Sequence, residues 1–418
     1  MFVQKKKLVI IKEIGLHGIF MITNAIIELF FLLLLGKLYK AEYFAIYGVF
    51  FSISTICILL AKSNLEHAIF RAKSNFQINL YLNMLFNNCI IISFLILTIN
   101  LILFISNVKL NIFSNWSILL IFLLIVNTTF YSFLIFIRSY FIKNKYFISH
   151  FFSLLIKQII FISLAFLNIK FNLDFFNKGD LIFFLVISNF LTTIFVYKFS
   201  NLKVDFKFNI KKNFFTKVND LKNFYLFGNI TNLVLILKDF IIINFIQNNF
   251  GNIILGQYVF LKRFIFQALE LLKKIIGNIY ITNINKHIRM KKNIYKDFYF
   301  FFILSIFVSL LIYLFIDLFS LILFETFFNN KWDISYEILN IYLLLICFSF
   351  IPSLLNRLLN YYYQKFDLVW SLFFILTIIF YLNLFEFGSY IIFFENLVKV
   401  KYIIYTIYLI LSFYIIYK

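Results

Sequence analysis

The segment YVFLKRFIFQALELLKKIIGNIY, residues 258–280, carries charged side chains within an otherwise apolar stretch. On a helical wheel of about 100° per residue, Lys262, Arg263, Gln267 and Glu270 share one side of the helix. An ionisable side chain costs roughly 2.5–3.5 kcal/mol at the centre of a bilayer, so this stripe would be strongly unfavourable against lipid. Facing a water-filled interior, the same cations would bind an anionic group. We therefore predict that this side of the helix lines a passage.

Three further apolar segments carry polar or ionisable side chains with helical spacing. They are Asn24 and Glu28 after His17 in the first segment, Lys157 with His150 and Ser153 in the fifth, and Asn232 with Lys238 and Asp239 in the seventh. Together with the stripe above, these segments predict a central, wet and mostly basic passage for an anionic passenger. The predicted passage residues outside the stripe are Asn24, Lys157, Asn232, Lys238 and Tyr258, whose ring offers a surface for sugar stacking.

The carboxylates Glu28 and Asp239 lie deep in their segments and are candidates for binding a coupling ion, with H+ and Na+ both left open.

Each group of polar side chains also has a simpler interpretation than lining a passage. The 258–280 segment is also compatible with an interfacial helix that lies flat on the membrane. Single Asn or His side chains often form hydrogen bonds between helices, and Lys238 can neutralise Asp239 beside it.

The composition is that of a polytopic membrane protein. The chain has 418 residues, of which 63% are apolar and 14% charged, with a mean hydropathy of +0.94. A soluble domain is nearer half apolar and a quarter charged. Twelve apolar spans are predicted near 14–35, 45–61, 84–106, 116–137, 147–167, 181–199, 224–247, 254–275, 298–323, 336–355, 368–385 and 389–417. The first span has no small-residue cleavage site after it, so we expect it to be retained.

The net charge of +21 is distributed unevenly between the two sides of the predicted membrane. Alternate connections place 25 Lys and Arg residues on the side of the chain ends and 8 on the other side. The positive-inside rule then predicts that both termini are cytoplasmic. This pattern favours an interpretation of the basic segments as topology signals that attract anionic lipid, rather than as a nucleic-acid surface.

The longest predicted cytoplasmic connection separates the spans six and six. We predict an N-terminal half at 1–200, a basic linker at 201–223 and a C-terminal half at 224–418. Two six-span halves that both begin on the cytoplasmic side are typical of parallel transporter repeats. The predicted external loops are short, and the sequence has no phosphate-binding loop, zinc-ligand spacing or Gly-x-Ser-x-Gly motif. We therefore predict that the protein is not an enzyme and has no metal or organic cofactor.

Three stretches resemble the polysaccharide-repeat flippases of the Wzx type, which belong to the MOP exporter superfamily. In LGKLYKAEYFAIYGVFFSISTICILLAKSNLEHAIFR (residues 35–71), Tyr47–Gly48 and the segment 64–71 occupy the places of two motifs of that family, with Asn64 where Gly is usual. In LILKDFIIINFIQNNFGNIILGQYVFLKRF (235–264), Asp239 and Gly256–Tyr258 match the opening of the second half. FNNKWDISYEILNIYLLLICFSFIPSLLNRLL (328–359) is similar to the tenth span and its approach.

The resemblance implies an all-α integral membrane protein of about 12 transmembrane helices in two six-helix halves. It also implies a flippase that moves undecaprenyl-diphosphate-linked oligosaccharide from the cytoplasmic to the periplasmic leaflet of a bacterial inner membrane by alternating access. The passenger would be the repeat unit of O-antigen, capsule or another surface polysaccharide. A glycan polymerase and a chain-length regulator are further candidate partners.

Other functions fit parts of this pattern. A multidrug exporter of the same superfamily passes cations and would need an acidic passage. Lipid II flippases are closer, but they typically carry two additional spans. A membrane glycan polymerase or ligase normally has a large external loop, which the sequence does not predict. The basic passage favours the oligosaccharide flippase over these alternatives.

Overall fold

The computed structural model describes residues 2–63, 65–72, 74–105, 118–144, 146–171, 179–200, 202, 222–266, 269, 294–328, 331–362, 364–385 and 387–417. Every regular element within these ranges is helical. Within lipid, the backbone N–H and C=O groups have no water to bond with, so an apolar span rich in Ile and Phe satisfies them by forming a helix.

Twelve α-helices follow one another along the described ranges. They are α1 (Phe2–Leu38), α2 (Ala41–Lys62), α3 (Leu65–Arg71), α4 (Asn75–Ile105), α5 (Ile118–Lys143), α6 (Phe147–Phe171), α7 (Asp180–Phe199), α8 (Lys222–Leu261), α9 (Ile294–Ile322), α10 (Asp333–Tyr362), α11 (Gln364–Leu384) and α12 (Tyr390–Tyr417). Two π-helical turns, Lys262–Phe266 and Leu323–Phe327, directly continue α8 and α9.

Helix α8 consists of two helices that meet at Gly251. The backbone angles of Gly251, φ +83° and ψ 177°, are not helical, and glycine adopts a positive φ without the clash that a Cβ would cause. Among the described residues, 10 helices are long and apolar enough to cross a membrane, with α8 counted once and the shorter apolar segment Leu368–Leu384 counted separately. The predicted all-α membrane protein of about twelve transmembrane helices is confirmed.

The chain folds into two compact units. Unit 1 comprises Met1–Phe31 and Ile46–Asn244, and unit 2 comprises Leu32–Ala45 and Phe245–Lys418. The segment Leu32–Ala45, which we call the hairpin tip, joins α1 to α2 and belongs to unit 2 by its contacts. The linker predicted at 201–223 lies almost entirely outside the described residues, so the division of the sequence at that point stays a prediction.

In unit 1, helix α5 lies at the centre and packs against α3, α4, α6 and α7. Its buried positions are partly polar and include Asn127, Thr128, Ser132 and Arg138. Asn127 donates a hydrogen bond to Ser54 Oγ of α2 (2.6 Å) and accepts one from Asn189 Nδ2 of α7 (2.7 Å). These bonds connect three helices across the interior of unit 1.

In unit 2, helix α10 has the corresponding central position and packs against α9, α11 and α12. The interior of this unit is aromatic. Phe393 of α12 contacts the ring of Phe245 (centroids 5.2 Å apart) and that of Phe387 (5.2 Å), while Tyr342 of α10 packs edge-on to Phe394 (5.9 Å). The helices at the packing centres, α5 and α10, correspond to the fourth predicted span of the first half and the fourth predicted span of the second half.

Candidate functional site: a basic cluster in unit 1

Helices α1, α5 and α6 of unit 1 bring ionisable side chains together inside the predicted membrane. Helix α1 is held against α6 by Phe20 and Phe151, whose rings stack with centroids 4.9 Å apart. We call the group formed by these three helices the basic cluster. Its members are Glu28 of α1, Tyr131 and Arg138 of α5, and Ser153 and Lys157 of α6.

Arg138 is the most deeply buried cation of the cluster, with 8% of its surface exposed. Its Nε donates to Ser153 Oγ (3.1 Å) and its Nη2 donates to the carbonyl oxygen of Ser153 (2.7 Å). Ser153 Oγ in turn donates to the carbonyl oxygen of His150 (2.6 Å). These contacts use two of the five guanidinium N–H donors and fix the side chain between α5 and α6.

Lys157 lies near the middle of α6 and is half-buried. Its Nζ is 4.5 Å from the centroid of the Tyr131 ring, a cation–π arrangement. Glu28 interacts electrostatically with Arg138 from α1. The cluster therefore holds two cations and one carboxylate, and its net charge is positive.

Asn24 lies one helical turn before Glu28 and is buried, with 3% of its surface exposed. Its Oδ1 has no hydrogen-bond partner within the part of the chain that the structure describes. An amide oxygen buried without a partner costs free energy. A hydroxyl-bearing ligand or a cation bound beside Glu28 would satisfy it.

The predicted passage residues of α8 have different surroundings. Asn232 is exposed, and Lys238 Nζ forms an ion pair with Asp239 Oδ1 at 3.5 Å. Lys238 and Asp239 therefore form the neutralising ion pair that the sequence analysis gave as an alternative. The roles of these residues in a passage, and of Asp239 in ion coupling, stay predictions.

The structure describes only part of the charged segment 258–280. The ring of Tyr258 is buried and stacks on Phe394 (centroids 5.4 Å apart). Lys262 and Arg263 are half-buried in the π-helical turn that follows α8. Gln267 and Glu270 lie outside the described residues, so the predicted stripe that they complete stays a prediction.

Two members of the basic cluster were missed by the sequence analysis. Arg138 had been counted only as a charge that sets topology, and Tyr131 had not been considered. The sequence pattern could have indicated both residues, because Asn127, Tyr131 and Arg138 are spaced i, i+4 and i+11 and share one face of α5. Across the described ranges, no group of three His, Cys, Asp or Glu side chains could hold a metal ion.

No protein-family model and no curated protein matches this sequence. Solved structures, in contrast, match it over nearly its whole length. An inward-facing multidrug resistance MATE family transporter of the MOP superfamily aligns with a TM-score of 0.64 and 13% identity, over 96% of this chain and 98% of that chain. The lipid II flippase MurJ, in an inward closed conformation, aligns with a TM-score of 0.61 and 16% identity, over 96% of this chain and 100% of that chain. The chain has the fold of MOP-superfamily transporters. An outward-facing MATE transporter also matches, with a TM-score of 0.56 and 13% identity, over 97% of this chain and 95% of that chain.

Proposed function

We propose that this protein is a flippase for a lipid-linked oligosaccharide. In this proposal it moves undecaprenyl-diphosphate-linked repeat units of a surface polysaccharide from the cytoplasmic to the periplasmic leaflet of a bacterial inner membrane by alternating access, with both termini cytoplasmic. The observation that carries the proposal is the position of Lys157, near mid-span over the Tyr131 ring and one helical turn from Ser153, to which the buried Arg138 is bonded.

The energetics of the basic cluster favour an anionic passenger. A cation at mid-bilayer costs roughly 2.5–3.5 kcal/mol, and a cation–π contact returns about 0.5–2 kcal/mol. A hydrogen bond between charged groups contributes about 1.5–3 kcal/mol. A bound diphosphate would add bonds of this kind to the cations of the cluster. Glu28 of the cluster is one candidate for ion coupling, and Asp239 of α8 is the other.

Two related transport functions share this fold. A multidrug exporter would need a surface for organic cations, and the net positive charge of the cluster disfavours it. A lipid II flippase would also carry a lipid-linked diphosphate, and the solved MurJ structure aligns along its full length. That function is the second candidate. Complementation of a strain depleted of its lipid II flippase separates it from the first.

The test compares two lysines of the same helix in the native host. Lys157→Met removes the cation over Tyr131, while Lys170→Met removes an exposed lysine that lies 5.8 Å from the Phe171 ring. Losing one charge-assisted contact of about 1.5–3 kcal/mol lowers affinity roughly ten- to a hundredfold. We expect surface glycan, measured at equal protein level in the membrane, to be lost in Lys157→Met and retained in Lys170→Met. Equal export by both variants would contradict the proposal.

A further inference from the structure

The hairpin tip belongs to unit 2 although the chain on both sides of it belongs to unit 1. We propose that the tip is a releasable latch, seated in a socket around Trp332 in this structure and withdrawn from that socket during the transport cycle. This inference rests on the proposed transport function. The socket consists of Gly256, Gln257 and Phe260 of α8, Phe328 and Lys331 between α9 and α10, and Trp332 and Ser335 at the start of α10.

The socket caps the C-terminal end of α1. Trp332 Nε1 donates to the carbonyl oxygen of Gly36 (3.0 Å), and Lys331 Nζ donates to the carbonyl oxygens of Gly36 (3.1 Å) and Lys37 (3.0 Å). The last carbonyls of a helix lack partners within it, and a cation at that end is favoured by the helix dipole. Partial burial, and secondarily the nearby Lys40, lower the pKa of Lys331. The ammonium group thus gives up some hydration to cap the tip.

An aromatic pocket receives the other side of the tip. Phe44 packs edge-on against Phe260 and Trp332, at centroid distances of 5.3 and 5.4 Å, and Phe260 stacks on Trp332 at 4.0 Å. A Cβ added to Gly36 would lie 2.6 Å from Phe260 Cε2. Glycine at this position therefore allows α1 to approach the aromatic rings.

A second glycine, in the socket itself, allows the start of α2 to approach. A Cβ added to Gly256 would lie 1.8 Å from the carbonyl oxygen of Ala41 and 2.4 Å from its carbonyl carbon. Both are backbone atoms, which cannot move aside as the end of a side chain can. A methyl group at position 256 is therefore incompatible with the seated tip.

The socket is held together without the tip. Gln257 Oε1 accepts from Ser335 N (3.1 Å), and Gln257 Nε2 donates to the carbonyl oxygen of Lys331 (3.2 Å). Ser335 Oγ lies within hydrogen-bond distance of Gln257 Oε1 (2.5 Å) and of the carbonyl oxygen of Gln257 (2.9 Å). These bonds join α8 to the start of α10 and involve no residue of the tip. The tip can therefore separate from the socket without breaking these bonds. Because both ends of the tip continue into helices of unit 1, a rearrangement of that unit pulls on it directly.

The first test measures whether the tip leaves the socket. In the full chain with Cys57, Cys89 and Cys347 replaced by Ala, Tyr39→Cys places a thiol at a tip position that is 4% exposed. We expect Gly256→Ala to raise the rate of labelling by a water-soluble maleimide about tenfold or more, because it shifts the population towards the unseated tip. Gly388→Ala is the matched control, since its Cβ would meet nothing within 4 Å. It should leave the rate unchanged.

An unchanged labelling rate in a folded Gly256→Ala protein would overturn the latch. If that variant does not fold, Trp332→Phe combined with Lys331→Met removes the three capping hydrogen bonds while keeping a ring in the pocket. We expect this pair of changes to raise the labelling rate as well. Unchanged labelling in that protein would equally overturn the proposal.

The second test locks the tip in place. Lys37→Cys and Phe327→Cys replace two neighbouring side chains, since Lys37 Nζ lies 5.3 Å from the centroid of the Phe327 ring, and a short bismaleimide can bridge them. We expect the bridged protein to lose glycan export and the unbridged protein to retain it. The control pair is Glu337→Cys with Tyr390→Cys, whose native side chains are bonded at 2.6 Å within unit 2 and belong to neither the tip nor the socket. Bridging that pair should leave export intact.

Export by the protein bridged at positions 37 and 327 would overturn the latch. Should the unmodified chain itself fail to export glycan, the proposed function fails. The labelling experiment still decides whether the tip unseats, because it needs no substrate.

Discussion

The interiors of the two units contain different types of side chain. Among the described residues of unit 1, the buried polar side chains include Asn, Asp, Glu, Arg and His residues, whereas those of unit 2 are serines and Gln257. Seven of the eleven largest fully buried side chains lie in unit 2: Phe44, Phe260, Trp332, Tyr342, Phe350, Phe393 and Phe394. Unit 1 is therefore held together partly by polar bonds, and unit 2 mainly by aromatic rings.

This difference separates stabilising contacts from functional ones. Aromatic contacts stabilise by area and shape, and they leave no charge for a ligand. Buried polar groups cost free energy unless they are paired, so a polar interior persists where it has partners or a use. In unit 1 the bonds between Asn127, Ser54 and Asn189 account for part of the polar interior. Arg138, Lys157 and Glu28 provide the charges for which we propose a role in transport.

The largest effect on stability is expected at Trp332. Its side chain is completely buried and contacts Phe44, Phe260 and Phe328. Trp332→Ala should lower the free energy of unfolding by about 3–5 kcal/mol, because it leaves a cavity. Trp370→Ala, at a half-buried tryptophan of the same unit, should cost clearly less. Denaturant unfolding of the purified protein measures both, and equal losses would show that the aromatic interior is not the stabilising feature of unit 2.

An intermediate effect is expected at Asn127. Asn127→Ala removes the shared partner of Ser54 and Asn189, and leaving buried polar groups unpaired costs about 1–3 kcal/mol. The control is Asn100→Ala on α4, where the amide bonds only to the carbonyl oxygen of Ile96 in its own helix, among the bonds described. The same unfolding measurement should show a smaller loss there. A neutral Asn127→Ala would remove the polar network as a source of stability in unit 1.

The smallest effects, of opposite sign, are expected at two adjacent threonines of α7. Thr193 Oγ1 lies 2.6 Å from the carbonyl oxygen of Asn189 in its own helix and 3.0 Å from that of Phe130 on α5, so its one hydrogen is shared between them, and hydrogen bonds between membrane helices average about 0.6 kcal/mol. Thr193→Val should therefore destabilise unit 1 by about that amount. Thr192 is fully buried, and its Oγ1 has no hydrogen-bond partner among the described residues, so Thr192→Val should be neutral or stabilising. Thermal unfolding of the two variants side by side tests the difference in sign.

The sequence predicted some individual features correctly and missed others for identifiable reasons. The connection between the spans predicted at 224–247 and 254–275 contains Gly251, whose positive φ separates the two helices of α8. Lys157 was recognised because a mid-span lysine stands out on a helical wheel. Arg138 was not, because it lies near the end of an apolar segment, where the same residue type also sets topology. Its bond to Ser153 connects different helices and leaves no trace in either segment alone.

The sequence by itself determined the helices, their approximate number and their apolar character. The reason is that the membrane acts on each segment separately: a span must be apolar and must satisfy its own backbone hydrogen bonds. Tertiary structure alone decided which segments meet. It brought Glu28 within electrostatic range of Arg138, 110 positions further along the chain, and it seated Leu32–Ala45 among residues of the second half. Such contacts depend on the shapes of packed surfaces, such as Gly256 against Ala41, and a hydropathy pattern does not encode shape.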